Sequence, residues 1–171
     1  YAGNVAFPDV TEWVIQTVRW FSHHPELQLV VRAHPLEREI GTQQPVAAEI
    51  HRMFPTLPPN IRVIPSESRI SSYALGGMLT ASAVHSTQFG LELAYAGRSV
   101  IVTGGPPYRG RGFTIDVSTP EQYFARLERL AEVRPLTPEQ HQRAQQYAYH
   151  YYIRREVPFP YLEVEGRFGV Q

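Results

Sequence analysis

The chain has 171 residues, with sixteen Lys and Arg set against sixteen Asp and Glu and no cysteine. Equal charge excludes a general electrostatic grip on nucleic acid, which needs a basic surplus, and leaves room for a local basic pocket holding one small anion. The missing cysteine excludes disulfides, thiolate zinc sites, iron–sulfur clusters and cysteine nucleophiles.

A 43% apolar and 19% charged composition is that of a globular domain with a sizeable core. No apolar run approaches the roughly 20 residues of a membrane span, and no signal peptide is visible. No transmembrane segment is therefore expected, and a reducing cytoplasm fits. The chain opens at Tyr1 without Met and enters a helix almost at once, which predicts a fragment of a longer protein.

In chain order, Asp9 with Glu12 forms a capping box, and Val14, Val18 and Phe21 follow at helical spacing. Leu27 to Ala33 is a short Val-rich run typical of a buried strand. Pro45 to Phe54 reads as a short helix ended by the proline-rich turn Pro55 to Pro59, and Ile61 to Ile64 as a second strand. Ser71 or Ser72 caps a helix to about Gly76. Leu79 to Val84 is a third strand, and Ser86 or Thr87 caps a helix that stops at Gly97. Ser99 to Thr103 is a fourth strand, followed by a Gly/Pro-rich loop from Gly104 to Gly112. Thr119-Pro120 with Gln122, and Thr137-Pro138 with Gln140, each open a helix with proline at its first position. Ala144, Tyr147, Ala148 and Tyr151 give the last helix one apolar face. No repeat or linker interrupts the pattern, so residues 1–171 are read as one domain. The alternation of helix and strand predicts an α/β fold with a doubly wound parallel sheet.

Open α/β sheets bind ligands beyond the carboxyl ends of their strands. Those ends carry Arg32-Ala33-His34-Pro35, Pro65-Ser66-Glu67-Ser68, His85-Ser86-Thr87 and Gly104-Gly105. Ser86 and Thr87 stand where free backbone N–H groups and the helix dipole favour an anion; plain N-capping is the alternative. Gly90, inside the same helix, allows close approach of a ligand or of a neighbouring strand. Glu92 can accept hydrogen bonds from ribose hydroxyls or face solvent. His34, held by Pro35, can donate to a phosphate or a departing nucleotide, or is simply a satisfied histidine at a strand end. Tyr108-Arg109-Gly110-Arg111-Gly112-Phe113-Thr114 combines two guanidinium groups with flexible glycines, suited to carboxylate or phosphate; a solvated surface loop is the alternative. His23, His24, His51, His141 and His150 form no metal pattern, so no protein-bound metal or other cofactor is expected. No dinucleotide fingerprint or P-loop is present.

The ordered set Arg32-Ala33-His34-Pro35, Val84-His85-Ser86-Thr87 with Gly90 and Glu92, Gly104, and Gly112-Phe113-Thr114-Ile115-Asp116 resembles the capsule polysaccharide biosynthesis family. That family includes the Kdo transferases of capsule assembly. The His-Pro and Ser-Thr pair is also similar to motifs of bacterial sialyltransferases. The similarity runs from about Trp13 to Phe159.

The resemblance implies the C-terminal half of a GT-B fold, Rossmann-like, that holds the nucleotide-sugar donor. A CMP-activated acidic sugar such as Kdo is favoured. It places His34, Ser86 and Thr87 at the donor phosphate, His34 in the catalytic role, and Ser66 or Glu67 near the base or ribose. Arg32, Pro35, His85, Gly90, Glu92, Tyr108, Arg109, Arg111 and Thr114 complete the expected donor-binding set. An N-terminal domain, absent from this chain, would supply the catalytic base and the site for a glycan or glycolipid acceptor. The isolated half would then bind without transferring, and the full-length protein would be cytoplasmic or peripheral at the inner membrane. A sugar-nucleotide epimerase half and a non-enzymatic nucleotide- or glycan-binding module are the alternatives.

Overall fold

A computed structural model describes residues 3–39 and 41–155. The end of the stretch that carries the family resemblance, 156–159, lies outside the described residues.

Asp9 starts the first helix as its sequence predicts, its carboxylate accepting the Glu12 amide at 2.8 Å. The reciprocal half of the box is diverted, because Glu12 Oε1 accepts from Gln16 at 2.6 Å instead. Helix α1 spans Val10–Ser22 and buries Val14, Ile15, Val18 and Phe21. Its carboxyl end is closed from a distance. The Asn60 amide nitrogen donates to the carbonyls of Phe21, His24 and Leu27 at 3.0, 3.2 and 2.9 Å. This one side chain fixes the turn from α1 into the first strand and the start of the second.

Strand β1 (Leu29–Arg32) pairs in parallel with β2 (Ile61–Ile64), Leu29 opposite Ile61. Between them lie α2 (Leu36–Glu39), which sequence patterning misses, and α3 (Val46–Met53). Ser71 caps α4 (Ser72–Met78), its hydroxyl accepting the Ala74 amide. The helix passes the expected stop at Gly76, because that glycine is a packing position. A Cβ there would lie 2.5 Å from Leu93 Cδ2.

Strands β3 (Ser82–Val84), β4 (Val100–Val102) and β5 (Ile115–Asp116) form a second parallel sheet in that order. Helix α5 (Phe89–Tyr95) connects β3 to β4 and ends at Gly97, whose φ of 77° is the left-handed stop its position requires. Helix α6 (Pro120–Glu128) begins at Thr119, and α7 (Pro138–Tyr149) begins with a complete capping box of Thr137 and Gln140.

The architecture is α/β with parallel strands and is consistent with a Rossmann-like fold. The doubly wound character is legible in β4. Ile101 enters the core under α1 and α6, while Val100 and Val102 enter the opposite core with α5 and α7. Successive residues of a strand face opposite sides, so helices cover both faces. The single sheet expected from sequence is two small sheets. Among the described residues β1 is paired only with β2, and β3 only with β4. Patterning fixes which residues are buried, not which strand edges come within bonding distance. The two sheets still share a core: Ile61 of β2 and Ile101 of β4 lie in one cluster with α1. No described helix is long and apolar enough to cross a membrane.

Asn60→Ala leaves the Leu27 carbonyl without its donor, while the Phe21 and His24 carbonyls keep the amides of His24 and Leu27. The expected cost is about 2 kcal/mol, or a fall of roughly 4–8 °C in melting temperature for a domain of this size. Thermal melts followed by circular dichroism check it.

Candidate functional site

The strand-end residues separate into those that hold the loops in place and those whose polar atoms remain free. Arg32 belongs to the first group. At the end of β1 its guanidinium donates to the carbonyls of Ala33 and Pro65 at 2.8 and 2.6 Å and of Ser68 at 3.1 Å. It thereby ties the loops after β1 and β2 together, while its buried Nε has no partner. Arg109 does the same for the second sheet, donating to Val102 and Gly104 through Nη1 and to Val117 and the Ser118 hydroxyl through Nη2, at 2.8–3.1 Å. Both guanidinium groups have most of their N–H directed at carbonyl oxygens.

Tyr108 is buried to 2% exposure and donates to the Thr87 carbonyl at 2.7 Å. Burial pushes its hydroxyl far above the usual range. It locks the Gly/Pro-rich loop onto the β3–α5 loop. Gly90 makes room for it: a Cβ there would run into the Tyr108 hydroxyl and lie 2.9 Å from Val84 Cγ2. Thr87 accepts the Phe89 amide at 3.3 Å and so caps α5 one residue earlier than its boundary.

His85 is the best-engaged histidine of the chain, exposed to only 6%. Its Nε2 meets Asn4 Oδ1 at 3.0 Å, and its Nδ1 meets the Thr103 hydroxyl at 3.3 Å. The ring stacks on Trp13 at 6.0 Å between centroids. The Asn4 amide nitrogen donates to Pro8, so Asn4 Oδ1 is the atom that faces His85 Nε2. Burial lowers the pKa of the ring, opposed by the nearby Asp9 carboxylate. His85 thus fastens the segment before α1 to the ends of β3 and β4, where Asn4 bridges Gly104.

Apart from Glu92, the other expected site residues stand exposed or make only local bonds. His34 is exposed, and its Nδ1 accepts the Leu36 amide at 3.1 Å. In the neutral ring the proton then sits on Nε2. Ser86 is exposed after β3. The Ser66 hydroxyl turns to Glu67 Oε2 at 3.3 Å, with the carboxylate exposed after β2. Glu92 accepts from Tyr152 at 3.4 Å. Burial, and then the Glu92 charge, push the Tyr152 hydroxyl up to about 12. Thr114 donates to Asp116 at 2.7 Å. Arg111 is exposed, its guanidinium 5.6 Å from the centroid of the Tyr147 ring.

The structure places His34, Ser66 and Glu67 after the strands of one sheet, and Ser86, Thr87, Arg109 and Arg111 after those of the other. Two recesses of about 280 and 460 Å³ flank the segment from Arg111 to Ile115. Sequence reasoning missed Asn4, Trp13, Asn60 and Thr103, whose roles depend on partners far along the chain. It also missed the cationic side chains of α7. Their spacing was a readable signal, since Arg143, Tyr147 and His150 recur at helical intervals. Among the described residues no group of three His, Asp or Glu comes together as a metal site. Comparison with known proteins finds no family model and no curated relative that matches the chain.

The unfolded chain protonates His85 near the ordinary histidine value of about 6.5, whereas the folded chain keeps it neutral to lower pH. Its contribution to stability is therefore full above that value and declines as pH falls through it toward the lowered folded pKa. Denaturant melts at several pH values between neutral and mildly acidic should show this loss. The slope should be shallower in His85→Asn.

Proposed function

We propose that this chain is the donor-binding domain of a GT-B-type glycosyltransferase acting on a nucleotide-activated sugar, with a CMP-activated acidic sugar as the favoured donor. The observation that carries the reading is the division of labour at the strand ends. Arg32, His85, Tyr108 and Arg109 are bound up with the chain itself, while His34 Nε2 and the Ser86 side chain remain exposed beyond the carboxyl ends of parallel strands. That is where α/β sheets bind nucleotides. The order of the His-Pro and Ser-Thr elements along the chain supports the same reading.

In the transfer reaction an acceptor hydroxyl attacks the anomeric carbon of the donor, and the bond from that carbon to the phosphate oxygen breaks. Negative charge collects on the departing nucleotide. His34 Nε2–H and the Ser86 hydroxyl donate hydrogen bonds to that phosphate and stabilise the charge. Glu67 is the exposed carboxylate available to ribose hydroxyls, whereas Glu92 is engaged by Tyr152 and Tyr73. The base that deprotonates a glycan or glycolipid acceptor belongs, in this reading, to a separate acceptor domain. This chain alone then binds donor without turnover.

Calorimetry with CMP, CDP, UMP and UDP tests the assignment, with the cytidine nucleotides expected to bind more tightly. His34→Ala and Ser86→Ala should each weaken binding by roughly ten- to a hundredfold at unchanged melting temperature. A clear uridine preference removes the CMP-sugar assignment. Undiminished affinity in both variants removes the site.

A further inference from the structure

A recess of about 460 Å³ lies where the loop after β4 meets the end of α7, lined by Arg111, Phe113, Arg143, Tyr147, His150 and Arg155. It is cationic although the whole chain carries no net charge. Three guanidinium groups and an imidazole converge on it, all four side chains exposed, and none of the three arginines is in an ion pair among the described residues. Glu139, one turn before Arg143, senses that one arginine. Its carboxyl is held below the usual range by its own backbone amide and by Thr137, and in last place by Arg143.

The backbone builds this convergence. Arg143, Tyr147 and His150 follow one another at i, i+4 and i+7 along one face of α7. A regular helix would bring residue 154 next into that row. Instead the chain passes into a π-helical turn over His150–Arg154, closed by the Arg155 amide on the His150 carbonyl at 3.2 Å. The wider turn advances the register by one residue, so Arg155 and not Arg154 enters the recess. Opposite, Gly112 has a φ of 79°, and a Cβ there would lie 3.0 Å from Arg143 Nη1, so glycine lets that guanidinium come close. Arg111 lies over the Tyr147 ring and Arg155 over the Tyr151 ring, at 5.6 and 5.5 Å. The rings hold the guanidinium planes and leave N–H edges free to donate.

We propose that this recess binds a small oligoanion carrying adjacent phosphoryl groups. Guanidinium forks match phosphoryl oxygens in pairs, and several unpaired cations held together are relieved by an anion of more than one charge. The recess does not include His34 or Ser86, and the inference stands without the nucleotide reading above.

Inorganic pyrophosphate is the probe, followed by calorimetry at low salt on the full chain. Binding is expected. Arg111→Gln and Arg155→Gln should each weaken it about tenfold, whereas Arg154→Gln and His34→Ala leave it unchanged. Melting temperatures of these exposed-site variants should match the parent. The absence of pyrophosphate binding overturns the proposal. So does an equal loss in Arg154→Gln and Arg155→Gln, which would reduce the effect to general surface charge. Citrate binding as tightly as pyrophosphate overturns the phosphoryl assignment.

Discussion

Parallel strands end in carbonyl oxygens to which the short ladders supply few donors, and in this chain two arginines donate to several of them. A buried carbonyl without a donor costs about 1–3 kcal/mol, and short strands bring many such groups close together. Arg32 reaches across the β1–β2 pair to Ala33, Pro65 and Ser68. Arg109 reaches across the β4–β5 pair to Val102, Gly104 and Val117. Each clamp adds side-chain bonds between two loops that a backbone bond, Ala33 to Ile64 in one case and Val117 to Val102 in the other, also joins. Strands of two to four residues cannot hold such loops by ladder bonds alone.

The clamps decide what remains for a ligand. A guanidinium turned inward to carbonyl oxygens has few N–H left for phosphate, so these two arginines shape the strand-end region without contributing much charge to its surface. Tyr108 and His85 act similarly, one tying the Gly/Pro-rich loop to Thr87, the other tying Asn4 to β3 and β4. Cationic groups with free edges gather elsewhere, on Arg111 and along α7. Cationic binding capacity therefore concentrates at the end of α7, while the strand ends present neutral donors and carboxylates.

Local grammar was readable in the sequence; distant partnership was not. Asp9, Ser71, Thr119 and Thr137 cap the helices their spacing announces, because a cap depends on residues three positions apart. The alternation of Val100, Ile101 and Val102 between two cores follows from strand geometry alone. By contrast, β5 is two residues long and carries no period to detect, and α2 is a single turn. The site residues were found by position, at strand ends, yet their orientation was beyond reach. Arg32 and Arg109 resemble phosphate ligands in composition and become carbonyl clamps through contacts with residues whose placement only the fold supplies. The π turn at His150 is equally hidden, since a one-residue register shift leaves no mark in hydrophobic spacing.

The turn at His34 limits what this histidine can do in the proposed transfer. Its Nδ1 accepts the Leu36 amide, and its carbonyl accepts the Glu37 amide that begins α2. A neutral ring with its proton on Nε2 is a hydrogen-bond donor of fixed direction. Delivering that proton fully to a leaving phosphate would require Nδ1 to regain one, which the Leu36 amide opposes. His34 is thus suited to stabilising charge on a departing phosphate rather than to protonating it, and a departing nucleotide phosphate, already a stable anion, needs only the former.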